Sequence, residues 1–406
     1  MNIISVSFNG HDSGITFLVG GKHYKTVLEE RLTTVKQDQT LFSVFEHVKS
    51  FSEDYDVDKI IIVNGDESNF DFIDQLLSKF KLKNKKIDIQ YESNEHHLYH
   101  AASGFYSSGF DEAVCLVMDG WGSDIRFIHL LEMIGIDQEL SQDDLDHVSE
   151  FMQWKFMETT SVYDVSYPNN FKIMFKNYLR PHPPPEAFIE DHDVFPYKIL
   201  KEIQNSSLVS CNSNYDIGML YCLISGHLFE HNEQCGKVMG LSGYGKPNNE
   251  LPEFIIKNGL VDMNFAFSDR CVNTINFPSM EHNDDFQKRS DIAYKVQKHT
   301  EDIFRMKIKG IIDMKPDVKN IVLSGGVALN ICANSIIQEE FPNINFYIDP
   351  IASDGCQSYG AAKYYYHKDT ESMSKDPMHT TYYGIHQPNS IILKKQIELE
   401  VAKHNK

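Results

Sequence analysis

The chain has 406 residues, 41% of them apolar and 24% charged, the balance of a globular protein with a full-sized core. Its formal charge of −20, from 58 acidic against 38 basic side chains, repels polyphosphate backbones and argues against a broad nucleic-acid surface. Seven cysteines without a Cys-x-x-Cys pair, no basic signal-peptide start and no run of about 18 apolar residues together predict a soluble cytoplasmic protein that does not enter membranes.

Ile3–Phe8 is apolar and β-branched and reads as a strand, followed by a tight turn bracketed by Asn9, Gly10 and Gly14. Ile15–Val19 and Tyr24–Leu28 flank Gly20-Gly21, a hairpin signal because both glycines tolerate positive φ. Strands are expected at Ile60–Val63, Ile87–Gln90 and Ala113–Met118. A helix from about Asn94 to Tyr106, capped by Ser93 or Asn94, lies between the last two. The interrupted lysine run from Lys79 to Lys86 is a solvated loop entering a strand.

From Asp124 to about Asn214 the pattern is poorer. Ile125–Leu131 suggests a strand, and the acidic cluster Asp137–Asp146 and the prolines 181 and 183–185 suggest an insertion that decorates the surface or covers a substrate. Periodicity returns with a helix at Ile217–Phe229, a glycine-rich stretch at Gly236–Gly245 and a packed helix at Asp291–Met314. Asn320–Leu323 is a buried-type strand running into Ser324-Gly325-Gly326, with a helix over Val327–Glu340, a strand at Ile344–Ile348 and a helix at Asp354–Tyr366. Strands that feed glycine turns into helices, in two separated sets, indicate an α/β chain with two sheet-based lobes.

Three glycine turns follow expected strands: residues 10–14, Asp119-Gly120-Trp121-Gly122-Ser123, and Ser324-Gly325-Gly326. Glycine lets backbone amides approach phosphate oxygens, and the set points to a nucleotide held between the lobes. A sharper signal is His96-His97-Leu98-Tyr99-His100, in which His96 and His100 are four apart and share one helical face. Asp119, closing one strand, and Asp354, opening the last helix, add two carboxylates. Two imidazoles and two carboxylates suit Fe(II), Mn(II) or Zn(II) with coordination positions left open; His97 points elsewhere and is structural.

These motifs resemble successive signatures of the O-carbamoyltransferases of nodulation-factor and antibiotic tailoring. The resemblance rests on His96–Ser103, Met118-Asp119-Gly120, Gly236–Leu241, Leu323–Asn330 and Asp354-Gly355…Gly360-Ala361-Ala362. Gly10-His11-Asp12 and Glu29-Glu30-Arg31…Val35-Lys36 resemble the N-terminal signature, and the matches keep their order from residue 1 to about 385. The resemblance implies two ribonuclease-H-like lobes of the actin, sugar-kinase and heat-shock ATPase type, with a nucleotide and metal site between them. The lobes would run over 1–123, including the His-x-x-x-His helix, and 124–385, the latter with a poorly matching insertion at about 130–214 and a short tail at 386–406.

The resemblance also implies metal ligands at His96, His100, Asp119 and Asp354, with Fe(II) favoured. It implies nucleotide contacts at Gly120, Gly240, Gly325, Gly326 and Asn330. His11, Asp12 and Lys36 fall where carbamoyl group and acceptor meet. The expected reaction uses ATP and carbamoyl phosphate to make carbamoyl-adenylate, then passes the carbamoyl group to the hydroxyl of a small molecule, a sugar or a hydroxymethylated nucleotide. The adenylate-forming half of the family is not expected within this sequence, so a partner subunit or a removed domain would supply the adenylate. A transferase similar to the tRNA threonylcarbamoyl enzymes and a non-catalytic nucleotide-binding subunit are the alternatives.

Overall fold

A computed structural model of the chain describes residues 1–8, 12–35, 45–64, 87–92, 95–135, 155–179, 206–212, 216–254 and 285–381. Within them, β1 (Ile3–Ser7), β2 (Gly14–Val19) and β3 (Lys22–Leu28) form an antiparallel meander. Gly20 and Gly21 turn the hairpin with φ of 58° and 81°. After α1 (Glu29–Thr33) and α2 (Phe45–Asp54), β4 (Lys59–Val63) joins β1 in parallel and β5 (Asp88–Glu92) joins β4. The resulting order is β3-β2-β1-β4-β5, and every residue of β1 and β4 is buried, as their continuous apolar runs suggest.

α3 (His96–Ser108) leads into the second sheet, built from β6 (Glu112–Met118), β7 (Asp124–Arg126), β8 (Lys155–Ser166), β9 (Asn170–Leu179) and β10 (Val209–Asn212), with α4 (Phe127–Ile134) after β7. The chain then adds α5 (Ile217–Phe229), α6 (Cys235–Ser242), α7 (Phe286–Met314), β11 (Asn320–Ser324), α8 (Ile331–Glu340), β12 (Asn345–Ile348) and α9 (Gln357–Thr370). The sheet order is β10-β9-β8-β6-β11-β12, with β7 paired to β8. Five of its strands, β9-β8-β6-β11-β12, repeat the connectivity of the first sheet, an antiparallel meander extended by two parallel strands on the side of the first strand.

α3 and α9 cross between the sheets. α3 buries Leu98, Ala101 and Phe105 against Cys115, Val117 and Val322 of the second sheet, while α9 buries Ala361, Ala362 and Tyr365 against Ile3, Leu18 and Ile61 of the first. They approach so closely that a Cβ on Gly360 would lie 1.9 Å from the Tyr99 carbonyl oxygen. This crossing fixes the turn before α9 next to the start of α3.

Three expectations change. Ile125–Leu131 is a three-residue strand followed by helix, because Phe127, Leu130 and Leu131 are buried at spacings of three and four. The supposed insertion contains β8 and β9, the longest strands of the second sheet. Their polar residues are buried in pairs: Lys176 binds Glu158, Thr160 Oγ1 donates to Asp216 Oδ2 at 2.5 Å, and Asn177 Nδ2 donates to Thr159 Oγ1 at 2.8 Å. Finally, β6 and α3 belong with the second sheet, and α9 packs back onto the first, so the lobes do not divide at residue 123. Among the described residues no helix is long and apolar enough to cross a membrane.

Candidate functional site

α3 has no side-chain cap of its own, and the expected caps Ser93 and Asn94 lie outside the described residues. The open backbone N–H of His96 donates instead to Ser123 Oγ at 3.0 Å. The turn after β6 thus caps the histidine helix and brings Asp119 to it. The Asp119 backbone N–H is held by the Thr159 carbonyl at 3.0 Å, and its Oδ1 accepts from Gly120 N at 2.7 Å. The other oxygen, Oδ2, is left to face the imidazoles.

Four side chains meet there. His96 Nε2 lies 3.1 Å from Asp119 Oδ2 and 3.3 Å from Asp354 Oδ1; His100 Nε2 lies 3.5 and 3.3 Å from the same atoms. The two Nε2 atoms are 3.1 Å apart, and one ligand atom from each residue falls within 4.8 Å of all the others. Atoms bound to one cation at about 2.1 Å sit roughly 3.0 to 3.4 Å from one another in octahedral or tetrahedral geometry. The His–His and His–Asp spacings, 3.1 to 3.5 Å, fall close to that range, and the donor types suit a first-row divalent ion.

The electrostatics agree with that fit. Burial would depress the His96 imidazole, but Asp354 and Asp119 outweigh it and raise it to about 9. His100 is likewise driven well up, against burial, by Cys356 and the two aspartates. Burial opposes ionisation of Asp119 and Asp354, yet the two histidines hold both carboxyls below the ordinary range. Two buried carboxylates thus demand two positive charges beside them. Two imidazolium protons supply these, and one divalent cation in their place gives the same neutrality.

Beside this cluster opens a cleft of about 620 Å³ whose walls include Asp12, Glu30, Asp119, Gly120, Trp121, Gly326, Asn330 and Asp354. Asp12, Gly120, Gly326 and Asn330 therefore share the site with the metal candidates. Gly325 and Gly240 do not line it. Gly325 has φ of 85°, and a Cβ there would lie 2.3 Å from the Met118 carbonyl oxygen, so its smallness lets β11 close against β6. Gly240 sits within α6, where Gly236 and Met239 form the wall instead. Asn330 Oδ1 caps α8 at Ala333 N and also pairs with Gln297. His11 and Lys36 lie outside the described residues.

Several features of the site had no signal in the sequence. Among the described residues, no lysine or arginine lines the cleft, but helix starts do: Gly218 and Met219 of α5, Cys235 and Gly236 of α6, and the cap residue of α8. The first turns of α5 and α6 carry the positive ends of their helix dipoles, which favour an anion in the cleft. Cys356 Sγ lies 3.2 Å from His100 Nδ1, and Gln357 Nε2 donates to the His96 carbonyl at 3.2 Å. His97 faces away, with Nδ1 on Ser161 Oγ at 2.8 Å; burial lowers it to about 4, so it is neutral, as its structural reading requires.

The family model of the carbamoyltransferase N-terminus matches residues 55–363. An uncharacterized protein of Synechocystis, sll1178, is 26% identical over 306 residues, covering 70% of this chain and 38% of the relative. MJ1058 of Methanocaldococcus jannaschii, also uncharacterized, is 24% identical over 278 residues, covering 66% of this chain and 36% of the relative. The crystal structure of T. kodakarensis HypF aligns with a TM-score of 0.49 at 14% identity, over 93% of this chain and 49% of that one. The chain thus spans well under half the length of the curated relatives it matches.

Proposed function

Because the chain belongs to the carbamoyltransferase N-terminus family, we propose that it performs the transfer half of an O-carbamoylation. In this reading the carbamoyl group of a carbamoyl-adenylate, made from ATP and carbamoyl phosphate, passes to the hydroxyl of a small molecule, a sugar or a hydroxymethylated nucleotide. The adenylate comes from a partner domain or subunit. The repeated sheet connectivity supports two ribonuclease-H-like lobes of the actin and sugar-kinase type with the site between them. The observation that carries the proposal is the convergence of His96, His100, Asp119 and Asp354 at the wall of the cleft.

Each group has a role in that chemistry. His96, His100, Asp119 and Asp354 hold the cation, Fe(II) first and Mn(II) or Zn(II) also suitable. When bound, it supplies Lewis-acid stabilisation of charge developing on the carbamoyl oxygen. Gly326 and the starts of α5 and α6 bind the adenylate phosphate through backbone N–H groups, and Gly120, whose N–H is held by Asp119 Oδ1, leaves room for it by lacking a side chain. Asp12 accepts the proton of the attacking hydroxyl as the new carbon–oxygen bond forms and the bond from carbamoyl carbon to the adenylate phosphate breaks, releasing AMP.

Supplying the chain with carbamoyl-adenylate and a panel of alcohols, with mass spectrometry of the products, tests the proposal. One alcohol is expected to gain the mass of a carbamoyl group, and transfer should stop when a chelator strips the protein. If a broad panel of sugars, nucleosides and macrocyclic alcohols stays unmodified by metal-loaded protein, transfer is not its reaction.

A further inference from the structure

The turn that supplies Asp354 also grips the histidine helix, and we propose that Cys356 is the positioning residue that aims His100 at the cation. This deepens the function proposed above and rests on its reading of four side chains as a cation site. Cys356 Sγ is 3.2 Å from His100 Nδ1, and both residues are fully buried. The opposite ring nitrogen, Nε2, faces Asp354 Oδ1 at 3.3 Å and Asp119 Oδ2 at 3.5 Å. A neutral imidazole can offer Nε2 to a cation only if its one proton sits on Nδ1. In a buried site that proton needs an acceptor, and the cysteine sulfur is positioned to take it.

An imidazole ligand ordinarily gives this second proton to a carboxylate, a carbonyl or water. A sulfur is a weaker acceptor, so its value here lies in its fixed position. The Cys356 backbone N–H is held by the Ser353 carbonyl at 2.9 Å, inside the short turn Asp354–Cys356. Gln357, the next residue, donates from Nε2 to the His96 carbonyl at 3.2 Å. One turn therefore presents a carboxylate to the cation while holding His100 by its ring and His96 by its backbone. A shift of the thiol would be passed to Asp354 through Gly355 alone.

Cys356→Ala and Cys356→Ser in the full chain test this, with Zn2+ and Co2+ as the probes. Affinity would be measured by competition with a chromophoric chelator, site geometry by the visible absorption of bound Co2+, and the His100 tautomer by proton–nitrogen NMR. Cys356→Ala is expected to weaken both ions by about 10- to 100-fold, alter the Co2+ spectrum and remove the preference for the Nδ1 proton. Cys356→Ser keeps an acceptor and should recover part of the affinity with a Co2+ spectrum still displaced from wild type. If Cys356→Ala does not fold, the serine variant decides the matter: unchanged affinity and an unchanged spectrum overturn the positioning role. Wild-type protein that binds ions, with an alanine variant that binds them within about twofold and keeps the tautomer, overturns it equally. Wild-type protein that binds neither ion overturns the cation reading itself.

Discussion

The two sheets share one connectivity but contribute unequally to the cleft. In the first, the turn from β1 to β2 carries Asp12, held at φ of 64°. In the second, the corresponding turn after β6 carries Asp119, whose carboxylate meets two imidazoles and stands opposite Asp354. Both turns place an aspartate on the cleft wall, and among the described residues only the second lies against a helix start that supplies histidines. The difference comes from packing. α3 lies on the second sheet, and the α3–α9 crossing delivers Asp354 to that side. A duplicated scaffold thus becomes a one-sided site through the helices laid between its halves.

Exchanging the charge of each aspartate would break this comparison most forcefully. Asp119→Asn should weaken Zn2+ or Mn2+ binding by at least about 100-fold, since a direct ligand matters no less than the groups that orient it. Asp12→Asn should leave ion affinity unchanged and lower carbamoyl transfer. Calorimetric ion titration of both variants beside a transfer assay would separate the two turns; equal loss of ion binding would mean the site is shared between lobes.

That asymmetry was only partly legible in the sequence. Strands β1, β4, β6 and β11 declared themselves as apolar runs, and helix Ile217–Phe229 has the bounds its pattern suggested. His96 and His100 could be paired by helical spacing, and the strand-end aspartates were candidates by position alone. β8 and β9 were hidden because Glu158, Thr160, Lys176 and Asn177 look like surface residues until their partners, 18 residues or more distant, are known. Cys356 was hidden for the same reason: its partner His100 is 256 residues away and meets it only through the helix crossing. Local periodicity reports a residue's own element, whereas a buried polar pair reports a tertiary contact.

Acidity sharpens the comparison with a smaller effect. In the metal-free protein His96 is raised from 6.5 to about 9, so its contribution to stability is complete below pH 6.5 and fades as pH rises through about 9. Asp119 and Asp354 are lowered from 3.8, so theirs is present above that value and lost as pH falls through their folded-state pKa values. Stability from this cluster should therefore peak between pH 3.8 and 6.5 and decline toward alkaline pH. Added Zn2+ should offset the alkaline decline by replacing the lost protons. Thermal unfolding across pH, with chelator and with Zn2+, tests this, and hydrogen exchange should show the loss in α3 before β1. Metal-free stability that stays flat or rises from pH 6.5 to about 9 would contradict it.

The smallest expected effect on folding concerns Trp121, two residues beyond Asp119 and 55% exposed while lining the cleft. An indole left so open contributes little to the core, so Trp121→Ala should change unfolding free energy by no more than about 0.5 kcal/mol. Its place on the wall makes it a surface on which a planar or ring-shaped ligand can stack, an interaction of about 0.5 to 1.5 kcal/mol. The variant should accordingly bind adenine nucleotide or a cyclic alcohol up to about tenfold more weakly while holding its cation as tightly as wild type. Fluorescence of Trp121 on titration with each ligand class tells which of the two it faces, since only the stacking partner should quench it. A variant with unchanged affinity for both would mean that the second-sheet turn serves the cation alone, and that the ligand rests on helix starts and the first-sheet turn.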